Sequence, residues 1–216
     1  MKRLLLSISF LVLILIVNAQ PWTYDFGSGT GTHTSTTAST SFLPTPTSGI
    51  ARVRVGNNPG SIVLANPGLL ALGLSSELQI ASNTASASAT KFSIYDYTPG
   101  KTGYVKFNVS FSGGTNGVYK FSMGDGATFS DNNPMANAQT FAGIEWTLGA
   151  SNAITYRVLN NVTIGTTGIS NSTTLFTQST STFYTVEVYA NNTVTSTNYL
   201  RGGTPYELLN ATWDLW

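Results

Sequence analysis

Beyond Trp22, apolar side chains recur at every second position over much of the chain. Val105, Phe107, Val109 and Phe111 alternate with Tyr104, Lys106, Asn108 and Ser110. A period of two is the mark of a strand with one face buried and one face wet. The same reading puts Tyr119, Phe121 and Met123 inward over 118–123, with Lys120 and Ser122 outward. It puts Ile144, Trp146 and Leu148 inward over 143–148, and Ile154, Tyr156 and Val158 inward over 154–158, with Glu145 and Arg157 outward. Over 184–190 it buries Tyr184, Val186 and Val188 and exposes Thr185, Glu187 and Tyr189. Shorter strands are predicted over 23–26, 51–55, 61–64, 78–81 and 91–95. Asn191-Asn192 reads as a tight hairpin turn into a strand over 193–199.

Gly, Asn, Ser and Pro punctuate the intervals, and Thr, Val and aromatic residues fill the strands. About a dozen such strands, each apolar on one side, describe an antiparallel sandwich or barrel. A parallel sheet would need crossover helices and two-sided apolar strands, and neither pattern is present. The Ser/Thr/Gly-rich stretch 27–41 is expected to be a long surface loop.

The first residues follow a different rule. Lys2-Arg3 precedes an apolar run from Leu4 to Val17, and Val17 and Ala19 sit where an export peptidase needs small or apolar side chains. Residues 1–19 are therefore expected to be a signal peptide, leaving 20–216 as a single β-sandwich domain. The apolar run is shorter than the ~20 residues of a spanning helix, so no membrane span is expected after signal removal. The mature chain is expected to be secreted or held at the cell surface.

Composition narrows the function by exclusion. Lys and Arg number 10 against 9 Asp and Glu, for a net charge of +1, and charged residues are 9% of the chain. That balance lacks the basic face by which nucleic-acid binders displace counterions. With no Cys there is no disulfide, thiol nucleophile or Cys-ligated metal. With one His there is no multi-histidine metal site, and His33 lies in a hydroxyl-rich stretch that reads as a mobile loop.

Several strings together resemble the N-terminal module of secreted Bacteroidetes proteins. They are Tyr24-Asp25-Phe26-Gly27-Ser28-Gly29-Thr30-Gly31, Ser41-Phe42-Leu43-Pro44, Ala51-Arg52-Val53-Arg54-Val55-Gly56, Lys91-Phe92-Ser93-Ile94-Tyr95-Asp96-Tyr97 and Ser130-Asp131-Asn132-Asn133. The resemblance covers nearly the whole mature chain, and none of its motifs is catalytic. It implies an all-β, antiparallel jelly-roll sandwich of the concanavalin A-like kind, within a longer protein sorted by type IX secretion. In that group the segment matching Trp213-Asp214-Leu215-Trp216 continues as a strand and a Val-Asn-Gly turn. The sandwich is thus expected to be incomplete at its C-terminal end, with other domains of a longer chain as neighbours.

The outward residues supply the candidate chemistry. Tyr104, Lys120, Glu145, Arg157, Glu187 and Tyr189 would line one concave face if their strands shared a sheet. Tyrosine rings stack on sugars, while Arg and Glu give directed hydrogen bonds to hydroxyls, a mixture suited to a polysaccharide or cell-surface glycan. The plain alternative is a solvated sheet face with cross-strand ion pairs. This leads to a non-catalytic adhesion or carbohydrate-binding module as the expected function. The rival readings are a glycosidase using Glu145 and Glu187 as its two carboxylates, and a structural spacer. Asp125, Asp131 and Asn133 offer oxygens of the kind that hold calcium, or simply build turns. Arg52 and Arg54 are expected to pair with Asp25 or Asp96, and Trp22 and Trp213 to close the core.

Overall fold

A computed structural model describes residues 23–57, 59–70, 75–81, 89–97, 100–124, 135–136, 139–160, 169–171 and 175–216. The expected signal segment 1–19, Trp22 and the calcium candidates Asp125, Asp131 and Asn133 lie outside the described residues. Strands dominate the described regular structure and are arranged in several antiparallel sheets. Among the described residues no helix is long and apolar enough to cross a membrane.

Pairings between the strands fall into two sets. In the first, β1 (Gly31–His33), β3 (Ser61–Ala65) and β4 (Glu77–Ala81) form one sheet in the order β1-β3-β4. Beside it, β2 (Ile50–Arg54) pairs with β5 (Lys91–Tyr95). Alternation drives Val53, Val55 and Ile62 out of water completely, together with Leu43, Ala51 and Leu64. Burial of each such Val or Ile side chain stabilises the fold by roughly 1.5–3 kcal/mol. Tyr24 and Phe26 complete this core from an irregular segment, with Tyr24 stacked 5.9 Å from Phe92. The predicted strand over 23–26 is therefore a packed loop.

The expected loop 27–41 contains β1, whose residues pair with Ile62, Val63 and Leu64. His33 is accordingly a strand residue, its ring 5.5 Å from Phe42 and its Nε2 buried. Arg54 donates from Nε to the Thr36 carbonyl at 2.9 Å, and Arg52 reaches the Tyr95 hydroxyl.

The second set holds β6 (Thr102–Val109), β7 (Gly117–Gly124), β8 (Thr140–Leu148), β9 (Ile154–Asn160), β10 (Ile169–Asn171), β11 (Tyr184–Asn191) and β14 (Thr212–Leu215). They form two sheets, ordered β10-β9-β8-β7 and β14-β11-β6. The inward faces of both sheets share one core. Ile144, Trp146 and Leu148 from β8 and Ile154 from β9 meet Val186, Val188 and Ala190 from β11. Phe107 of β6 lies 4.8 Å from Phe121 of β7, ring to ring, across this interface. Trp213 packs against the same core, the closing role expected of it.

A two-stranded ribbon completes the fold: β12 (Thr197–Arg201) and β13 (Thr204–Leu208). The turn between them is Gly202-Gly203, with φ of 56° and 82°. Two successive positive φ values suit the twist of a two-residue hairpin and are adopted at little cost by glycine. The expected hairpin at Asn191-Asn192 does not form. β11 pairs with β6 and β14, and β12 turns back on β13 instead. The physical reason lies in Asn191, whose buried side chain is engaged in holding the ribbon's base.

Candidate functional site

The outward residues predicted for one face are divided between two. Tyr104, Glu187 and Tyr189 belong to the β14-β11-β6 sheet, whereas Lys120, Glu145 and Arg157 belong to the β10-β9-β8-β7 sheet. Both sheets turn their apolar faces to the shared core, so the two polar groups occupy opposite outer faces. Stacked sheets lie about 10 Å apart. Outward carboxylates on the two sheets are thus farther apart than the ~5–9.5 Å of a glycosidase pair. Glu145 and Glu187 do not come together as such a pair.

On the first face, register sets Tyr104 opposite Tyr189 and Lys106 opposite Glu187, and Tyr189 in turn opposite Asp214. The β12–β13 ribbon then lays Tyr199, Arg201 and Tyr206 over these side chains. Tyr189, expected in solvent, is only 9% exposed because Tyr199 stacks on it at 3.8 Å. The ring series runs on in both directions. Tyr104 sits 4.6 Å from Tyr189, Tyr206 lies 5.4 Å from Tyr199, and Trp216 meets Tyr206 edge-on at 5.0 Å. The terminal members stay open, with Tyr104 51% and Trp216 41% exposed.

Polar contacts fasten the series. Glu187 accepts from Arg201 Nε at 2.7 Å through Oε2, and from the Tyr104 hydroxyl at 3.2 Å through Oε1. Lys106 Nζ stands 3.1 Å from the same Oε1. Tyr199 donates its hydroxyl hydrogen to Asp214 Oδ2 at 2.7 Å and accepts from Trp216 Nε1 at 2.9 Å. The Arg201 guanidinium rests 4.4 Å above the Trp216 ring, a cation–π contact. Burial and then the Asp214 hydrogen bond push the Tyr199 phenol up to about 12. Tyr104 is likewise raised, by burial of its hydroxyl end and then by the Glu187 charge.

The Arg201 hydrogen bond, followed by those from Lys106 and Tyr104, holds the Glu187 carboxyl below its ordinary range against the opposing effect of burial. A depressed carboxyl stabilises the folded state above the free side chain's pKa, ~4.3, and that contribution is lost as pH falls through the lower folded value. The protection factors of the amides of residues 197–208, taken relative to the intrinsic exchange rate at each pH, should therefore fall on acidification before those of the shared core. Glu187→Gln should flatten that dependence. Equal protection of ribbon and core from about pH 6 to pH 3 would contradict the tie.

On the opposite face, register aligns Lys120, Glu145 and Arg157 in one row across β7, β8 and β9. Arg157 Nε donates to Glu145 Oε1 at 2.6 Å, and Lys120 Nζ donates to the Met135 carbonyl at 3.3 Å. Burial lowers the Lys120 ammonium; Glu145 works against that shift and Arg157 with it. Beside the row is an open depression of about 340 Å³ lined by Glu145, Thr147, Thr155, Tyr156 and Arg157. Among the described residues there is no group of three or more His, Asp or Glu able to hold a metal ion.

Tyr199, Arg201, Tyr206, Asp214 and Trp216 were not singled out by the sequence. The alternation Tyr199-x-Arg201, the Gly202-Gly203 turn and Tyr206 together carried the signal for a ribbon with one aromatic and polar face. Comparison of the chain with protein-family models, curated proteins and solved structures gave no match in any of the three, so the site rests on its own geometry.

Proposed function

We propose that the chain is a non-catalytic, extracellular carbohydrate-binding or adhesion module that engages glycans on the outer face of the β14-β11-β6 sheet. The observation that carries this is the aromatic series ending in exposed Tyr104 and Trp216, with Lys106 and Arg201 beside them. Sugar rings offer apolar faces to such platforms and hydroxyls to the flanking charges. The interior rings are already stacked on one another, so they pre-order the outer two, and ordering costs little on binding. A spacer would present a sheet face without exposed aromatics, and this face has them. With this reading go the proposals that the chain is exported and that its antiparallel sheets form a concanavalin A-like jelly roll.

A glycan array probed with the chain from Gln20 onward tests it. Tyr104→Ala and Trp216→Ala should each weaken binding to the polysaccharides retained by about 5–10-fold, the value of one lost aromatic contact. Retention of full binding in both variants, or no binding by the folded chain, would overturn the proposal.

A further inference from the structure

We propose that the depression beside Arg157 is a second, independent subsite, which takes the carboxylate of an acidic sugar such as a uronate within a polysaccharide. The argument begins with Arg157. Among the described residues it is bonded to Glu145 through Nε, and its side chain is 44% exposed. Guanidinium carries five donors in a planar fork, and Nε accounts for one of them. The ion pair with Glu145, itself 15% exposed, holds the fork through Nε, and Arg157 lines the depression with its terminal nitrogens not engaged in that contact.

Charge completes the assignment. Lys120 and Arg157 flank Glu145 in register across the sheet, so the carboxylate of the row lies between two cationic side chains. A planar carboxylate matches the fork in bidentate fashion. Thr147 and Thr155 line the same depression and can bond the hydroxyls of the ring that bears the carboxylate. Glu145 acts here as a positioning residue for Arg157. This site is on the face opposite Tyr104, so it does not depend on the aromatic series.

Calorimetric titration of the whole chain with polygalacturonate, with its methyl-esterified form and with dextran sulfate tests the subsite. Polygalacturonate should bind, and Arg157→Gln should weaken it at least tenfold while leaving the melting temperature unchanged. Arg157→Lys, which keeps the charge and loses the fork, should recover only a small part. Thr155→Val should weaken binding by a smaller factor. Equal affinity for the methyl ester would overturn the proposal, because the carboxylate would then be irrelevant. Equal or tighter binding of dextran sulfate that is insensitive to Arg157→Lys would overturn it in favour of undirected charge. No binding of polygalacturonate by the folded chain would also overturn it.

Discussion

Asn191→Asp is expected to detach the β12–β13 ribbon and to lower stability by about 3–5 kcal/mol, more than Asn191→Ala. Asn191 ends β11 with no exposure to solvent. Its amide nitrogen donates to the carbonyls of Thr195, Leu208 and Leu209 at 2.8, 3.1 and 3.0 Å. Its oxygen accepts from the Thr193 backbone and hydroxyl at 3.1 and 2.7 Å. One side chain thus pins both ends of the ribbon to the sheet. Alanine removes these bonds and leaves buried carbonyls without a donor, a cost of about 1–3 kcal/mol. Aspartate keeps the shape but turns the donor into a second anionic oxygen facing carbonyls. Its pKa would be raised, so the penalty should be complete above that value and shrink as the pH falls through it. Urea denaturation at neutral and mildly acidic pH checks the order wild type, Ala, Asp and its contraction in acid. An Asp variant as stable as the Ala variant at neutral pH would show that the amide donor is dispensable.

Trp146→Ala should cost about 3–5 kcal/mol, whereas Trp146→Phe should cost distinctly less. Trp146 is 2% exposed at the centre of the shared core, 5.2 Å from Phe111 and 5.9 Å from Phe176, ring to ring. Truncation to alanine would leave a cavity between two sheets that are each held by their own hydrogen bonds and cannot collapse onto it. The indole N–H of Trp146 finds no hydrogen-bond partner among the described residues. Phenylalanine removes that unpaired donor while keeping most of the ring area, so the two effects partly offset. Thermal melts followed by circular dichroism should show a fall of about 10 °C for alanine and a few degrees for phenylalanine. Equal shifts for both variants would place the residue outside a tightly packed core.

Parity along the strands was legible in the sequence, and it fixed which side chains face inward. The run 91–95 is β5 residue for residue, and the inward sets predicted over 118–123, 143–148 and 184–190 are those that pack together. Neighbour relations were not legible, because alternation is identical whether two strands share a sheet or face each other across a core. Hence Glu145 and Glu187, alike in pattern, stand on opposite faces. Likewise, two hydrophobic clusters, one built from 24–92 and one from 107–215, have the same local signature. Tyr189 shows the limit of parity: it points outward as expected, yet a distant ribbon covers it. Asn191-Asn192 carried a turn signal, but a buried amide with several carbonyl partners lies beyond what a dipeptide reveals.

The central claim is that glycan contacts fall on the face bearing Tyr104, Lys106, Arg201 and Trp216. Backbone amide shifts recorded during titration with an array-positive oligosaccharide test it most directly. The largest perturbations should cluster on β6, β11, β14 and the β12–β13 ribbon, with the aromatic protons of Tyr104 and Trp216 moving at the same ligand concentrations. Perturbations confined to other strands, with those rings unmoved, would contradict the account.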